Sequence, residues 1–235
     1  MRDAGIVVVL VSARGPNGVK VVAEEAEVVD GIAIWSNGAL VLDLDRNEVL
    51  RHRTLPSEVA VEAIRALRER LPDVCFATET ESRFALERAF QGAWEGWELP
   101  PGTPFGDAVD LVTAPVTKLI ARDTTRTTDE LAAICAKVVG EQAVVSHAGT
   151  RVVEITTAGV SKGIALGELA AELGIDARDA VAFGDYPNDL PMLAWAGRSF
   201  APANAHEAVL AEVDEVTESN DDDGVARAIE RLLAG

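Results

Sequence analysis

The sequence predicts an α/β protein whose core is a parallel sheet between helices. Residues 6–11 and 180–183 form short apolar runs with the length of buried strands, and polar residues follow each run at once. Between them, residues 39–151 alternate strand and helix patterns. The sequence thus predicts strands and helices that alternate along most of the chain.

The first apolar run ends at Ser12, and Arg14 follows two residues later. A small hydroxyl and a guanidinium at the end of a strand can both bind phosphate. An ordinary turn after a strand explains the same residues, so this motif alone does not decide between the two. A short strand is predicted at residues 31–35, and the pair Asn37-Gly38 after it is a common turn signal.

Residues 39–151 begin with a predicted hairpin over residues 40–55, in which residues 45–48 form the turn. A helix with an apolar stripe at helical spacing follows from Ser57. A second helix is predicted to be capped by Thr128-Asp129 and to run to about Val139. The predicted strands of this segment cover residues 74–79, 116–122, 144–146 and 152–155.

Lys162 lies in the first turn of the next predicted helix, whose apolar pattern over residues 164–173 stops at Gly174. The positive end of the helix dipole repels a lysine at this position. An anion bound in front of the helix would explain the lysine. A solvated surface lysine is the alternative, because one exposed charge in a first turn costs well under ~1 kcal/mol.

Two acids four residues apart, Asp185 and Asp189, follow the second apolar run. Pro187 between them is tolerated in the first turn of a helix, because that turn does not need its N–H. Open α/β sheets place binding sites at the carboxyl ends of their strands, and two carboxylates there suit a hard cation such as Mg²⁺. Alone, Asp-x-x-x-Asp is more often a solvated turn that caps a helix. A short strand at residues 200–201 and a last helix over residues 225–233 complete the core.

In this order, the three polar segments resemble the haloacid dehalogenase-like hydrolases, and most of all the Cof-like branch of Mg²⁺-dependent phosphatases. The resemblance extends over essentially the whole chain, with further matching stretches at residues 35–39, 153–155 and 219–226. It implies a Rossmann-like parallel-sheet core that is split between residues 1–38 and 152–235. It also makes residues 39–151 the inserted α/β cap domain that determines substrate specificity. It also implies hydrolysis of small phosphorylated metabolites such as sugar phosphates.

The resemblance assigns a role to each polar segment. Ser12 matches the residue that contacts phosphate, and Lys162 matches the lysine that neutralises the nucleophile and the phosphate. Asp185 matches a direct ligand of Mg²⁺, and Asp189 matches the residue that supports it.

Further ligand contacts are implied at the entrance to the cap and beside the acids. The chain enters the cap at Asn37 and Gly38, where Asn37 can face the substrate. Arg14 and Asn188 are additional candidates for contacts with the ligand. In the complete enzyme, the cap would close over the site and keep bulk water out.

The family's first strand ends in Asp-x-Asp-Gly-Thr, whose first aspartate attacks phosphorus, and this motif is absent from the chain. Residues 1–5 read as the end of the helix that normally follows it. The Asp-x-Asp at Asp43 to Asp45 belongs to the predicted hairpin, and the run Asp221 to Asp223 reads as a loop that caps the last helix. Because the missing strand is central in the family, we expect a gap of ~10 Å between the strands that end at Ser12 and Asp185. We also expect no catalytic activity from the chain as given.

Three explanations of this absence are open. In the first, a start codon assigned too far downstream, or loss of the first residues, leaves a phosphatase without its first strand. In the second, the chain is a degenerate gene product that folds poorly. A pseudo-enzyme, which belongs to a different functional class, binds a phosphorylated ligand without turning it over.

The 235 residues carry a net charge of −18, which argues against binding to nucleic acid or to an anionic membrane. Attraction of a phosphorylated substrate is then local to Lys162, Arg14, Lys118 and the metal. The two cysteines, Cys75 and Cys135, predict buried thiols in a reducing compartment, here the cytoplasm. No apolar run approaches the ~20 residues that cross a bilayer. The sequence does not predict the oligomeric state.

Overall fold

The computed structural model describes residues 5–15, 31–93, 99, 101–149 and 151–234. Residues 1–4, which the sequence assigns to the end of a helix, lie outside these ranges. The described strands form three hydrogen-bonded sheets, two with parallel pairs and one that is antiparallel throughout. This is the α/β architecture that the sequence predicts.

The first sheet contains two parallel strands and a hairpin. β1 (Leu10–Val11) pairs in parallel with β2 (Ile32–Trp35), and Ser12 continues the ladder by donating its N–H to a carbonyl of β2 at 2.8 Å. β3 (Leu40–Asp43) and β4 (Glu48–His52) then extend β2 in antiparallel register. The predicted hairpin is confirmed. By hydrogen bonding it extends the sheet of β1 and β2, although the sequence assigns it to the inserted domain.

The second sheet belongs to the inserted segment and has five strands. They are β5 (Cys75–Glu79), β6 (Phe84–Leu86), β7 (Lys118–Arg122), β8 (Ala143–Ser146) and β9 (Val153–Thr157). Their spatial order is β6-β5-β7-β9-β8, so β7 and β9 lie at the centre. The helices of this segment are α1 (Ser57–Arg70), α2 (Ala108–Leu111) and α3 (Thr128–Val139). Ile64 of α1 and Leu131 of α3 share a buried cluster with Ile155 of β9, so these two helices cover one face of the sheet.

The third sheet is parallel and completes the core. It contains β10 (Val181–Phe183), β11 (Arg198–Pro202) and β12 (Glu215–Thr217) in that order. Among the described strands, β1 pairs only with β2 and β10 pairs only with β11. The core sheet is therefore in two parts, divided between the strands that lead to Ser12 and to Asp185.

The core helices bring the Lys162 segment against the acidic segment. They are α4 (Lys162–Leu173), α5 (Leu190–Trp195), α6 (Glu207–Leu210) and α7 (Gly224–Ala234). Gly163 lets α4 approach α5 closely, because a Cβ there would lie 2.1 Å from the carbonyl oxygen of Pro191. No larger residue fits at this position without moving the two helices apart.

Two local predictions differ from the structure. The cap of α3 is Thr127 and not Thr128-Asp129: the Thr127 hydroxyl accepts from the Glu130 N–H, and the Glu130 carboxylate accepts in return from the Thr127 N–H. The short strands β6 and β12 were not predicted, because three residues are too few to show a period. Within the described ranges, no helix combines the length and apolar character that a bilayer span requires.

Candidate functional site

The acid loop, residues 184–189, follows β10 and contains two aspartates in different environments. Asp189 is buried, and both of its oxygens accept hydrogen bonds: Oδ1 from the Lys162 ammonium at 2.5 Å, and Oδ2 from the backbone N–H groups of Asp185 and Tyr186 at 3.0 and 3.1 Å. Asp185 is exposed. Asp189 therefore shapes the loop, whereas Asp185 is accessible to solvent.

Lys162 begins α4, whose N-terminus is capped by the Ser161 hydroxyl. Only 5% of Lys162 is exposed, so it is not a solvated surface lysine. Its ammonium is paired with the Asp189 carboxylate across the junction of α4 and the acid loop. A fixed anion of the protein thus offsets the unfavourable dipole at this position.

The carboxyl group of Asp185 is the one that fits a hard cation. Partial desolvation and the nearby Asp189 carboxylate raise the pKa of Asp185, while Lys162 acts in the opposite direction. A bound divalent cation would favour the ionised form. Among the described residues, no group of three or more His, Cys, Asp or Glu side chains is arranged to hold a metal. The described residues therefore offer Mg²⁺ one carboxylate ligand, Asp185, on a loop that Asp189 supports.

Ser12 and Arg14 lie at the carboxyl end of β1. The Ser12 hydroxyl accepts from the Arg14 N–H at 3.1 Å, and the Ser12 carbonyl accepts from the Asn37 N–H at 3.1 Å. The Arg14 side chain is exposed. Among the residues that the structure describes, none forms an ion pair with the Arg14 guanidinium. Arg14 is therefore available to an anionic ligand.

Asn37 lies where the chain leaves β2, in a left-handed stretch with φ of 48° at Ser36, 60° at Asn37 and 99° at Gly38. A Cβ on Gly38 would lie 2.4 Å from the Ser161 carbonyl oxygen, so the stretch approaches the start of α4 closely. The Asn37 amide is engaged at both its nitrogen and its oxygen, donating to Glu154 Oε2 at 2.7 Å and accepting from Asn188 Nδ2 at 3.0 Å. It joins the end of β2 to the acid loop.

A buried charge cluster, which the sequence patterns do not predict, lies at the base of the inserted domain. Lys118 donates to Glu154 Oε1 at 2.5 Å and to the Ala13 carbonyl at 2.8 Å, and it lies 3.7 Å from Glu79 Oε2. Burial opposes the charge of Lys118, but the two carboxylates outweigh it and raise the pKa of the ammonium. Burial likewise raises the pKa of Glu79, against the effect of Lys118.

This cluster corrects the expectation that Lys118 attracts substrate. Only 3% of Lys118 is exposed, and its charge is balanced within the protein. The signal that could have revealed the cluster is the presence of charged residues inside apolar strand patterns, at Glu79, Lys118 and Glu154.

The described contacts link the predicted site residues into one region. Asn37 is hydrogen-bonded both to Ser12 and to Asn188 of the acid loop. Asp189 of the same loop contacts Lys162 of α4. Their role in binding phosphate stays a prediction. Asp43 is at the other end of the sheet, because it pairs with Ile32 at the start of β2, whereas Ser12 lies near its end. Asp43 is therefore excluded as a nucleophile at this site.

Comparisons with known proteins identify the family of the chain. A sequence profile of the haloacid dehalogenase-like hydrolases matches residues 1–229. The 5-amino-6-(5-phospho-D-ribitylamino)uracil phosphatase YwtE of Bacillus subtilis is 43% identical over 90 residues, which are 38% of this chain and 32% of that protein. The phosphoglycolate phosphatase of Methanopyrus kandleri is 45% identical over 74 residues, 32% of each chain. The matched segments thus span about a third of these relatives.

The fold has a close structural relative. A sugar phosphatase of subclass IIB of the haloacid dehalogenase superfamily is similar with a TM-score of 0.81, over 98% of this chain and 87% of that one, at 20% identity. This likeness concerns the fold, with its core and inserted domain. The profile match over residues 1–229 establishes that the chain belongs to the haloacid dehalogenase-like hydrolases.

Proposed function

We propose that this chain provides the metal- and phosphate-binding part of a Mg²⁺-dependent phosphatase that acts on small phosphorylated metabolites such as sugar phosphates. The observation that supports this most is the buried pair of Lys162 and Asp189 beside the exposed Asp185, at the carboxyl end of a parallel strand. The similarity to phosphatases of small phosphorylated molecules supports the same reaction class.

Each side chain then has a distinct task. Asp185 would hold Mg²⁺, which supplies neutralisation of the charge on the phosphoryl group when bound. Asp189 fixes the backbone of the acid loop and the position of the Lys162 ammonium. Lys162 and the Ser12 hydroxyl stabilise the phosphoryl oxygens. The other proposed contacts with the ligand are Arg14, Asn37, Gly38 and Asn188.

The division of labour between the domains is part of this proposal. Residues 1–38 and 152–235 would form the core that binds the phosphoryl group, and residues 39–151 would form the cap that selects the substrate. The unpaired thiols of Cys75 and Cys135, both buried, support a reducing compartment, which we propose to be the cytoplasm.

We further propose that the 235-residue chain is inactive alone, because it contains no Asp-x-Asp-Gly-Thr motif. The position of Asp43 at the far end of the sheet supports this view. Loss of the nucleophile in covalent enzymes costs on the order of 10⁴ to 10⁶ in rate. The same observations leave a second function, binding of a phosphorylated ligand without turnover.

The test compares two proteins with p-nitrophenyl phosphate and Mg²⁺. One is the 235-residue chain, and the other carries an added N-terminal strand that ends in Asp-x-Asp-Gly-Thr. We expect turnover from the extended protein alone, and its loss when the first added aspartate is changed to Asn or when Asp185 is changed to Asn.

Two results would contradict the proposal. Turnover by the 235-residue chain that survives Asp185→Asn would place the chemistry elsewhere. A folded extended protein without turnover, whose 235-residue form binds inorganic phosphate, would favour the noncatalytic binder.

A further inference from the structure

A row of four buried polar side chains connects the inserted domain with the acid loop. It runs from Lys118 through Glu154 and Asn37 to Asn188, with successive contacts of 2.5, 2.7 and 3.0 Å. All four are at least 94% buried. We call this row the polar relay.

The direction of each hydrogen bond in the relay follows from its first two members. An ammonium only donates, and a carboxylate only accepts. Lys118 therefore faces one oxygen of Glu154, and the other oxygen of Glu154 requires a donor. Asn37 supplies it by presenting its NH₂ group.

The orientation of the Asn37 amide determines that of Asn188 in the acid loop. With its NH₂ group on Glu154, Asn37 presents its carbonyl oxygen to Asn188, which must offer its own NH₂ group in turn. The carbonyl oxygen of Asn188 then points away from the relay. It is buried, and among the described residues it has no hydrogen-bond partner.

We propose that Glu154 is a positioning residue that sets the orientation of the Asn188 side-chain amide, acting through Asn37. Asn188 lies between Asp185 and Asp189, so its orientation decides which of its atoms face the site. The effect of this orientation on phosphate binding rests on the function proposed above, whereas the orientation itself does not.

The relay makes a specific prediction for Glu154→Gln. Lys118 still needs an acceptor, so it selects the amide oxygen of the new glutamine and leaves the new NH₂ group facing Asn37. Asn37 must then turn its oxygen toward position 154 and its NH₂ group toward Asn188. Asn188 inverts as a consequence.

A compensating exchange restores the original orientation. In the double variant Glu154→Gln with Asn37→Asp, the glutamine donates to the new carboxylate, and the carboxylate accepts from the Asn188 NH₂ group. The amide and the carboxylate have exchanged places without a change in net charge. Asn37→Asp alone brings two carboxylates together and is expected to destabilise the fold.

The measurement is the pair of side-chain NH₂ signals of Asn188 in ¹⁵N-labelled protein, assigned by their loss in Asn188→Asp. We expect these signals to move in Glu154→Gln and to return to their wild-type positions in the double variant. Glu87→Gln is the matched control, because Glu87 pairs with Arg68 in the same domain but lies outside the relay. It should leave the Asn188 signals in place.

Unchanged Asn188 signals in Glu154→Gln, or displaced signals in a folded double variant, would overturn the relay. If Glu154→Gln does not fold, the double variant decides: a folded protein with wild-type signals supports the relay, and an unfolded one contradicts it.

Titration with inorganic phosphate and Mg²⁺ separates the two proposals. We expect Glu154→Gln to weaken phosphate binding by about tenfold, which is the effect of removing residues that orient the direct ligands at metal sites. The double variant should restore binding. If phosphate binds to none of these proteins, the proposed function is wrong, while the Asn188 signals still decide the relay.

Discussion

The ammonium of Lys162 and the carboxylate of Asp189 lie 2.5 Å apart, and 5% or less of either residue is exposed. The second Asp189 oxygen accepts from two backbone N–H groups of the acid loop. This one carboxylate therefore joins the start of α4 to the segment after β10. Its removal disturbs more groups than the removal of the lysine.

We expect Asp189→Ala to destabilise the protein more than Lys162→Met. Breaking a buried ion pair costs about 3–5 kcal/mol, and Asp189→Ala additionally leaves two N–H groups unpaired at about 1 kcal/mol or more each. Urea unfolding measures the difference. Arg178→Met, which breaks an exposed pair with Asp176, is the control and should leave the midpoint unchanged. Equal losses for the two buried variants would contradict the role given to Asp189.

Gly163→Ala should destabilise the contact between α4 and α5. The added Cβ would lie 2.1 Å from the Pro191 carbonyl oxygen, and overpacking of this kind costs about 1–3 kcal/mol. Gly167→Ala in the same helix is the control, since the three atoms nearest to its Cβ would all belong to the Trp195 side chain, at 3.0 Å or more. Thermal unfolding should show a clear loss for the first variant and little change for the second. The reverse order would mean that the two helices are further apart.

Cys75 and Cys135 should not react in the folded protein. Burial raises the pKa of Cys75 to about 11 and that of Cys135 to about 12, so at neutral pH well under about 1% of either is thiolate. Ellman's reagent should release no colour from the native chain and two equivalents after unfolding in guanidinium chloride. Rapid reaction of the native protein would show that the interior is open to solvent.

The protein should become less stable as the pH decreases below about 6.5, in part because of His147. Burial lowers the pKa of His147, although Asp129 at 3.0 Å acts in the opposite direction and His206 adds to the lowering. The Gly149 N–H donates to His147 Nδ1, which agrees with a neutral ring.

The folded protein therefore takes up this proton less readily than the unfolded chain, so stability rises with pH up to about 6.5 and is lost as the pH falls below it. His147→Gln should reduce the difference in melting temperature between about pH 7.5 and about pH 5.5. An unchanged difference would mean that His147 is protonated equally in both states.

Ser12 and Asp185 could be predicted as site residues because each closely follows an apolar strand, and Lys162 because it begins an apolar helical pattern. These are local features, and the order of the segments carries the resemblance to the family. The different environments of Asp185 and Asp189 could not be predicted. They depend on Lys162, which is 27 residues away in sequence and becomes a neighbour only when α4 packs on α5.

The charge cluster could not be predicted either, because its members are also distant in sequence. The alternation around Lys118 predicts a strand correctly, but it does not show which residue will face the ammonium. Glu154 comes from 36 residues further along, on the neighbouring strand β9. An ammonium expected to attract substrate is instead neutralised inside the protein.

The hairpin of β3 and β4 is attached to α4 by ion pairs between distant parts of the chain. Arg51 and Arg53 both contact Glu168, 117 and 115 residues later, and the five strands β5 to β9 of the inserted segment lie between these partners in the sequence. During synthesis, the hairpin therefore leaves the ribosome long before the helix that secures it. Because such late closure of long loops slows folding, the nested domain is expected to assemble first and the surrounding core last.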